Sequence, residues 1–152
     1  MKNFGYSLVV LITAICIFAI DSFVKYFLFY NFSYTSIPLI KNILHITVIC
    51  NSGAAFGLLR GKNQLLIYIS IIFILFFLIL SKRSRKTFLA FFGEGLIIGG
   101  AISNLFDRLF LGCVIDYIDI RIWPVFNISD MCISIGIGVL FLDSLKNKKL
   151  KT

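Results

Sequence analysis

Two aspartates, Asp116 and Asp130, flank one short segment, and each stands close to a long apolar run. If the ends of that segment meet, the two carboxyl groups cannot both ionise easily. Like-charge repulsion in a low dielectric raises one pKa and leaves a shared proton. One carboxylate can then act as general base on a water. The other, protonated, can hydrogen-bond the carbonyl under attack and later protonate the leaving amine. That is the chemistry of an aspartic protease. Taken singly, the same residues have plainer uses, because Asn127, Ser129 and Asp130 are all good caps for a helix start. Asp119, in the same segment, reads as solvated. No competing nucleophile system accompanies the pair. The only histidine, His45, has no evident catalytic neighbour, and no cluster of His, Cys or carboxylates has the spacing of a metal site.

The elements that must hold such a pair lie in a membrane. The chain has 152 residues, 59% apolar and only 14% charged, against about half and about a quarter in a soluble domain. That excess is too large for one buried core, so much of the surface must face lipid. Four apolar runs, 6–30, 65–80, 88–102 and 128–142, localise it. A spanning helix needs roughly 17–25 residues, so flanking residues complete the last three. The expected architecture is an all-α polytopic membrane protein, a single integral membrane domain over 1–152. Its four transmembrane helices are expected at about 6–29, 64–81, 87–106 and 127–145, with extracytoplasmic loops at about 30–63 and 107–126. The first run has a basic start but no small-residue cleavage site, and it reads as a retained helix. The first loop carries a small β element: residues 43–50 are rich in β-branched side chains, and Asn51-Ser52-Gly53 supplies a turn. Residues 31–42 are expected to lie flat in the interface.

The net charge of +8 does not indicate nucleic acid, because of where the cations fall. Lys2, Lys82, Arg83, Arg85, Lys86, Lys146, Lys148, Lys149 and Lys151 share one side of a four-helix topology. The other side keeps Lys41, Arg60, Lys62 and Arg121, with Lys25 and Arg108 near its boundary. Cytoplasmic loops are the ones enriched in Lys and Arg. Both termini and the Ser81–Lys86 turn are therefore expected in the cytoplasm, and Asp116 and Asp130 at the outer face. Of the four cysteines, Cys16 and Cys132 lie in apolar runs, while Cys50 and Cys113 both fall on the outer side. Whether those two pair is open.

Ionisable groups in hydrocarbon are costly, so each one is a candidate for function. Asp21 and Lys25 share a helix face. They read either as an internal ion pair, with Lys25 snorkelling to the outer interface, or as support for a site. Glu94, about two turns from the basic turn, can reach those cations or water and is given no role. Asn104, Asp107 and Arg108 end the third helix on one face, which alone fits an Asp–Arg pair and a C-terminal cap.

At these residues the sequence resembles the lipoprotein signal peptidase family, over nearly the whole chain and in order. The first helix has Asp21 with Lys25 one turn later. Asn51-Ser52-Gly53-Ala54-Ala55-Phe56 is similar to N-x-G-x-A-F. The segment from Gly99 and Gly100 through Asn104 to Asp107-Arg108 is similar to G-G-A-x-G-N-x-x-D-R. Val114-Ile115-Asp116-Tyr117 resembles V-V-D-F, and Trp123-Pro124-Val125-Phe126-Asn127-Ile128-Ser129-Asp130 resembles W-P-x-F-N-x-A-D.

The resemblance implies a dyad of Asp116 and Asp130, with Asn51, Gly53, Asn104, Arg108, Asn127 and Asp21 binding substrate or supporting the dyad. It implies an endopeptidase of a bacterial inner membrane that cuts diacylglyceryl-modified prolipoproteins before the lipidated cysteine. It further implies inhibition by globomycin and neither metal nor organic cofactor. Membrane lipid is the expected surrounding partner and a monomer the expected state. Ser103 stands where the family has Gly and Ser129 where it has Ala, and the segment between the aspartates is short for the family. Ser129 is expected beside Asp130, where its hydroxyl would tune that carboxyl. Two rivals are a small proton-coupled transporter using Asp21 and Glu94, and a non-enzymatic scaffold. A third is an inactive relative of the peptidase.

Overall fold

In the computed structural model, residues 2–54, 58–84 and 87–149 are described. Ala55, Phe56, Arg85, Lys86 and Lys151, all used above, lie outside them. In chain order the elements are α1 (Lys2–Phe32), β1 (Ser36–Ile40), β2 (Leu44–Asn51), α2 (Asn63–Ser84), α3 (Phe88–Phe110), β3 (Val114–Asp119) and α4 (Ile128–Lys149). Three of the described helices are long and apolar enough to cross a membrane: Ser7–Phe32, Phe88–Phe110 and Ile128–Lys146. In α2 the apolar part is shorter, Asn63–Ile79.

Helix α3 is the centre of the bundle, with α1, α2 and α4 all packed on it. Its sequence allows this. Gly99 and Gly100 are consecutive and face different neighbours. A Cβ at Gly99 would lie 2.7 Å from the Ala14 carbonyl oxygen on α1. One at Gly100 would lie 2.6 Å from the Ser129 carbonyl oxygen on α4. Without a hydrophobic drive between helices in lipid, such close backbone approach is what holds them. Thr87 caps the start of α3, accepting from the Ala90 N–H at 3.1 Å, and its hydroxyl donates to Asp143 of α4 at 2.6 Å.

The sheet is larger than the sequence suggests. Strand β2 matches the β-branched run expected there, but it is the middle of three antiparallel strands in the order β1-β2-β3. Strand β1 occupies part of the segment expected to lie flat, and α1 runs on to Phe32 before it. Strand β3 comes from the second loop, where the sequence pattern predicts no strand. Its two carboxylates, Asp116 and Asp119, interrupt the hydrophobic pattern that marks a strand. The sheet is seated on the C-terminal end of α1. Val48, Ile115 and Tyr117 form a buried cluster, and Val24, Leu28 and Phe29 pack against it. Where β2 meets β3, Ile49 faces Asp116, Cys50 faces Ile115 and Asn51 faces Val114. Cys50 and Cys113 form a disulfide there, with Cα atoms 5.6 Å apart.

Candidate active site

Four elements converge at the end of the bundle where α3 ends and α4 begins. Strand β3 carries Asp116 and the end of β2 carries Asn51. The last turns of α3 carry Asn104 and Arg108. The first turn of α4 carries Asp130, with Asn127 as its cap. The α4 cap is reciprocal. The Asp130 N–H donates to Asn127 Oδ1 at 2.9 Å, and the Asn127 N–H donates to Asp130 Oδ2 at 3.3 Å. This is a capping box with Asp in place of Glu, and it fixes the Asp130 carboxylate against the helix start. Asn51 accepts the Gly53 N–H at 3.0 Å in an Asx turn. That turn is tight, because a Cβ at Gly53 would lie 2.8 Å from the Leu58 carbonyl oxygen.

Every oxygen of the two carboxylates accepts an N–H. Asp116 Oδ2 takes Asn51 Nδ2 at 2.8 Å and its Oδ1 takes Asn127 Nδ2 at 2.7 Å. Asp130 Oδ1 takes Asn104 Nδ2 at 2.8 Å, and its Oδ2 takes the Asn127 N–H already described. Asn127 thus bridges the two acids, donating to one and capping with the other, and it is fully buried. Asp116 is 2% exposed. Burial, then the charge of Asp130, push its carboxyl up to about 7, against the lowering pull of Asn51 and Asn127. Asp116, Asp130, Asn51, Gly53, Asn104 and Arg108 all line one cavity of about 300 Å³, together with residues 123–126. A larger cavity of about 590 Å³, between α1, α2 and α3, is lined among the described residues mainly by apolar side chains such as Val10, Leu78 and Ile98, with no titratable group among them.

Beneath the cavity lies a buried charged layer. Lys25 Nζ is 2.8 Å from Asp21 Oδ2, 3.0 Å from Asp107 Oδ2 and 2.8 Å from Asn104 Oδ1. An ammonium only donates. Asn104 must therefore turn its oxygen to Lys25, which leaves its N–H groups for Asp130. Asp21 also accepts from Ser103 Oγ at 2.7 Å, Ser129 Oγ at 2.5 Å, the Ser129 N–H at 3.2 Å and the Tyr117 hydroxyl at 3.4 Å. Burial and the nearby Asp21 charge push the Tyr117 hydroxyl far up, so it stays a donor. Asp107 Oδ2 accepts the Ile115 N–H at 3.2 Å, tying β3 to α3 beside Asp116.

Several expectations need correcting here. Lys25 does not snorkel to the interface. It is fully buried and points inward, because two carboxylates and an amide oxygen wait there. Asp107 pairs with Lys25, not with Arg108, whose Nη1 instead reaches the Asn104 carbonyl at 3.5 Å. Ser129 turns to Asp21 and not to Asp130, since consecutive helical residues point about 100° apart. Asp119 is not solvated. It is 6% exposed and accepts from Thr47, the Arg121 N–H and Arg121 Nη1. Asp21 is absent from the cavity wall and acts through Lys25, Ser103 and Ser129. Ser103 and Tyr117 are given no role by the sequence reading, and Ser129 is expected at Asp130 instead. The signal for all three is Asp21, an acid within an apolar run that needs more donors than Lys25 alone.

Comparison with known proteins gives one answer. Residues 13–146 match the family model described as signal peptidase (SPase) II. A lipoprotein signal peptidase of Halothermothrix orenii is 45% identical over 115 residues, covering 76% of this chain and 79% of the relative. One from Desulfitobacterium hafniense is 42% identical over 134 residues, covering 86% and 89%. Among solved structures, a bacterial membrane enzyme determined at 2.3 Å by the in meso method superposes with a TM-score of 0.85 at 28% identity. That match covers 94% of this chain and 91% of the other.

Proposed function

The chain belongs to the signal peptidase II family, and from that membership, which makes it a protease, we propose that Asp116 and Asp130 are its catalytic dyad. The observation that carries this reading is the shared cavity, in which two carboxylates from separate elements are bridged by Asn127, whose side-chain amide donates to Asp116 and whose main-chain N–H donates to Asp130. With its carboxyl raised to about 7, Asp116 holds the shared proton near neutral pH. It donates a hydrogen bond to the scissile carbonyl oxygen. Asp130, ionised, takes a proton from the attacking water. When the tetrahedral intermediate collapses, Asp130 returns that proton to the leaving amine. Arg108, in the cavity wall, adds positive potential where the carbonyl oxygen gains charge. Asn51, Asn104 and Asn127 orient the acids, Gly53 gives the substrate backbone close approach, and Asp21 anchors the layer beneath.

The substrate is a prolipoprotein whose cysteine carries a diacylglyceryl group, cut before that cysteine. Two acyl chains in lipid keep the cysteine at the membrane surface, at about 0.8 kcal/mol per buried CH₂. Residues at the outer ends of α3 and α4 meet the bond there. On this reading residues 1–152 form one integral domain with four spans, α2 included, in a bacterial inner membrane, with both termini in the cytoplasm. The Cys50–Cys113 disulfide supports an outward active site, because such links persist in oxidising compartments. The enzyme works as a monomer surrounded by lipid, without metal, and is blocked by globomycin.

The test is cleavage of a diacylglyceryl-modified precursor in detergent by wild type, Asp116→Asn and Asp130→Asn. Wild type cuts before the lipidated cysteine, and each folded variant loses about a thousandfold in kcat, within the range for general acid–base groups. A folded variant with a near-normal rate would remove that aspartate from the mechanism.

A further inference from the structure

We propose that the Cys50–Cys113 disulfide is a positioning element of the active site, holding Asn51 on Asp116 during turnover; this rests on Asp116 being a member of the dyad. The two sulfurs sit beside the chemistry. Cys50 immediately precedes Asn51, whose Nδ2 donates to Asp116 Oδ2 at 2.8 Å. Cys113 immediately precedes β3, and Asp116 is the third residue of that strand.

Asn51 is held by its Asx turn with Gly53, by the end of the β2–β3 ladder and by the disulfide, and β1 adds nothing at that end. The β1 pairing reaches only to Thr47, with main-chain bonds to Val48 beyond it. The β2–β3 ladder is irregular between Ile46 and Ile49 and resumes for Ile49, Cys50 and Asn51. Past that irregularity, three ladder positions and the disulfide fix the end of β2. Chain continuity gives no help, because 63 positions separate the cysteines and both α2 and α3 lie between them. Without the cross-link, Asn51 and Asp116 are joined covalently only through two helices of the bundle. A small drift of Asn51 would strip a donor from a buried carboxyl, and misplacement of about 1 Å can cost up to a hundredfold in rate. Cys50 is exposed while Cys113 is 3% exposed, so a reductant reaches the bond from the Cys50 side.

The experiment uses the full chain in detergent with the lipidated precursor. Mass spectrometry first counts thiols: Cys16 and Cys132 are free and the other two are linked. Rates are then compared for the oxidised enzyme, the enzyme reduced by a phosphine and alkylated, and the C50A/C113A variant. Each comparison is repeated in an Asn51→Ala background. Loss of the cross-link lowers kcat about 5- to 20-fold in the wild-type background, with KM within about twofold. In the Asn51→Ala background the same loss changes kcat by less than about twofold, because the group being positioned is gone. If the double cysteine variant does not fold, reduction of the folded enzyme supplies the comparison. A fall in melting temperature without a change in kcat, an equal loss in both backgrounds, or four free thiols would each overturn the proposal. An oxidised wild type that cuts no lipidated precursor would instead overturn the peptidase reading beneath it.

Discussion

The N-terminal and C-terminal halves of α3 both turn buried faces to their neighbours, yet they are held by different means. The N-terminal half packs through small residues. A Cβ at Gly95 would lie 2.6 Å from Thr13 of α1, and one at Gly136 of α4 would lie 2.5 Å from the Gly93 carbonyl oxygen. The C-terminal half holds its neighbours through Ser103, Asn104 and Asp107, which reach Asp21, Lys25, Asp130 and the β3 backbone. Close packing fixes where helices lie but says nothing about which atom of an amide faces which neighbour. The polar layer does specify that. Lys25 sets the orientation of Asn104, and the reciprocal cap sets that of Asn127. The candidate site sits on the half that carries this directional information.

That contrast makes Lys25→Met the most damaging change outside the dyad. It strands Asp21 and Asp107 without their cation, and breaking a buried pair from one side costs about 3–5 kcal/mol. Thermal unfolding in detergent reads it as a large drop in melting temperature. A Met variant as stable as wild type would mean the ion cluster is dispensable and the two halves are alike. Asn104→Ala should spare folding more and hit rate harder, lowering kcat about 10- to 100-fold through loss of the donor on Asp130. An unchanged kcat would show that the Asp130 geometry is set by its cap alone.

The pH profile is the next finer probe. On the proposed mechanism Asp116 must be protonated to act as the acid, and burial with the Asp130 charge pushes its carboxyl up to about 7. The rate should therefore fall as pH rises through about 7, approaching tenfold per unit above it. A flat profile from pH 6 to 9 would assign the proton elsewhere. The smallest catalytic effect belongs to the N-terminal half of α3. Gly136→Ala should lose about 1–3 kcal/mol of stability by overpacking against Gly93, while the folded fraction keeps a kcat within about twofold. A collapse of kcat in that variant would show that packing there reaches the dyad.

Much of the C-terminal half of α3 and what it meets is legible in the amino-acid sequence. Charged and amide residues at the ends of apolar runs are conspicuous, and the segments around Asn51, Asn104, Asp116 and Asp130 carry the family resemblance. What stays hidden is tertiary. A lysine near a helix end is expected to reach for water, and only the fold shows Asp107 of α3 waiting inside for Lys25. Strand β3 escapes sequence reasoning because its acids look like loop residues. Those acids are tolerated in a strand because Asn51 and Asn127 serve Asp116, and Thr47 and Arg121 serve Asp119. The direction of Ser129 follows from helix geometry, but the acid it meets is supplied by α1.

The reciprocal cap at the start of α4 also has a thermal meaning. Helix ends open at lower free energy than helix centres. Here the first turn of α4 and the Asp130 carboxylate share the same pair of bonds. When that turn frays, the acid loses its bearing while α1, α3 and the rest of α4 remain packed. Opening of that one turn is therefore enough to disorder the candidate site while the bundle stands, so on heating activity is expected to fall before helicity does.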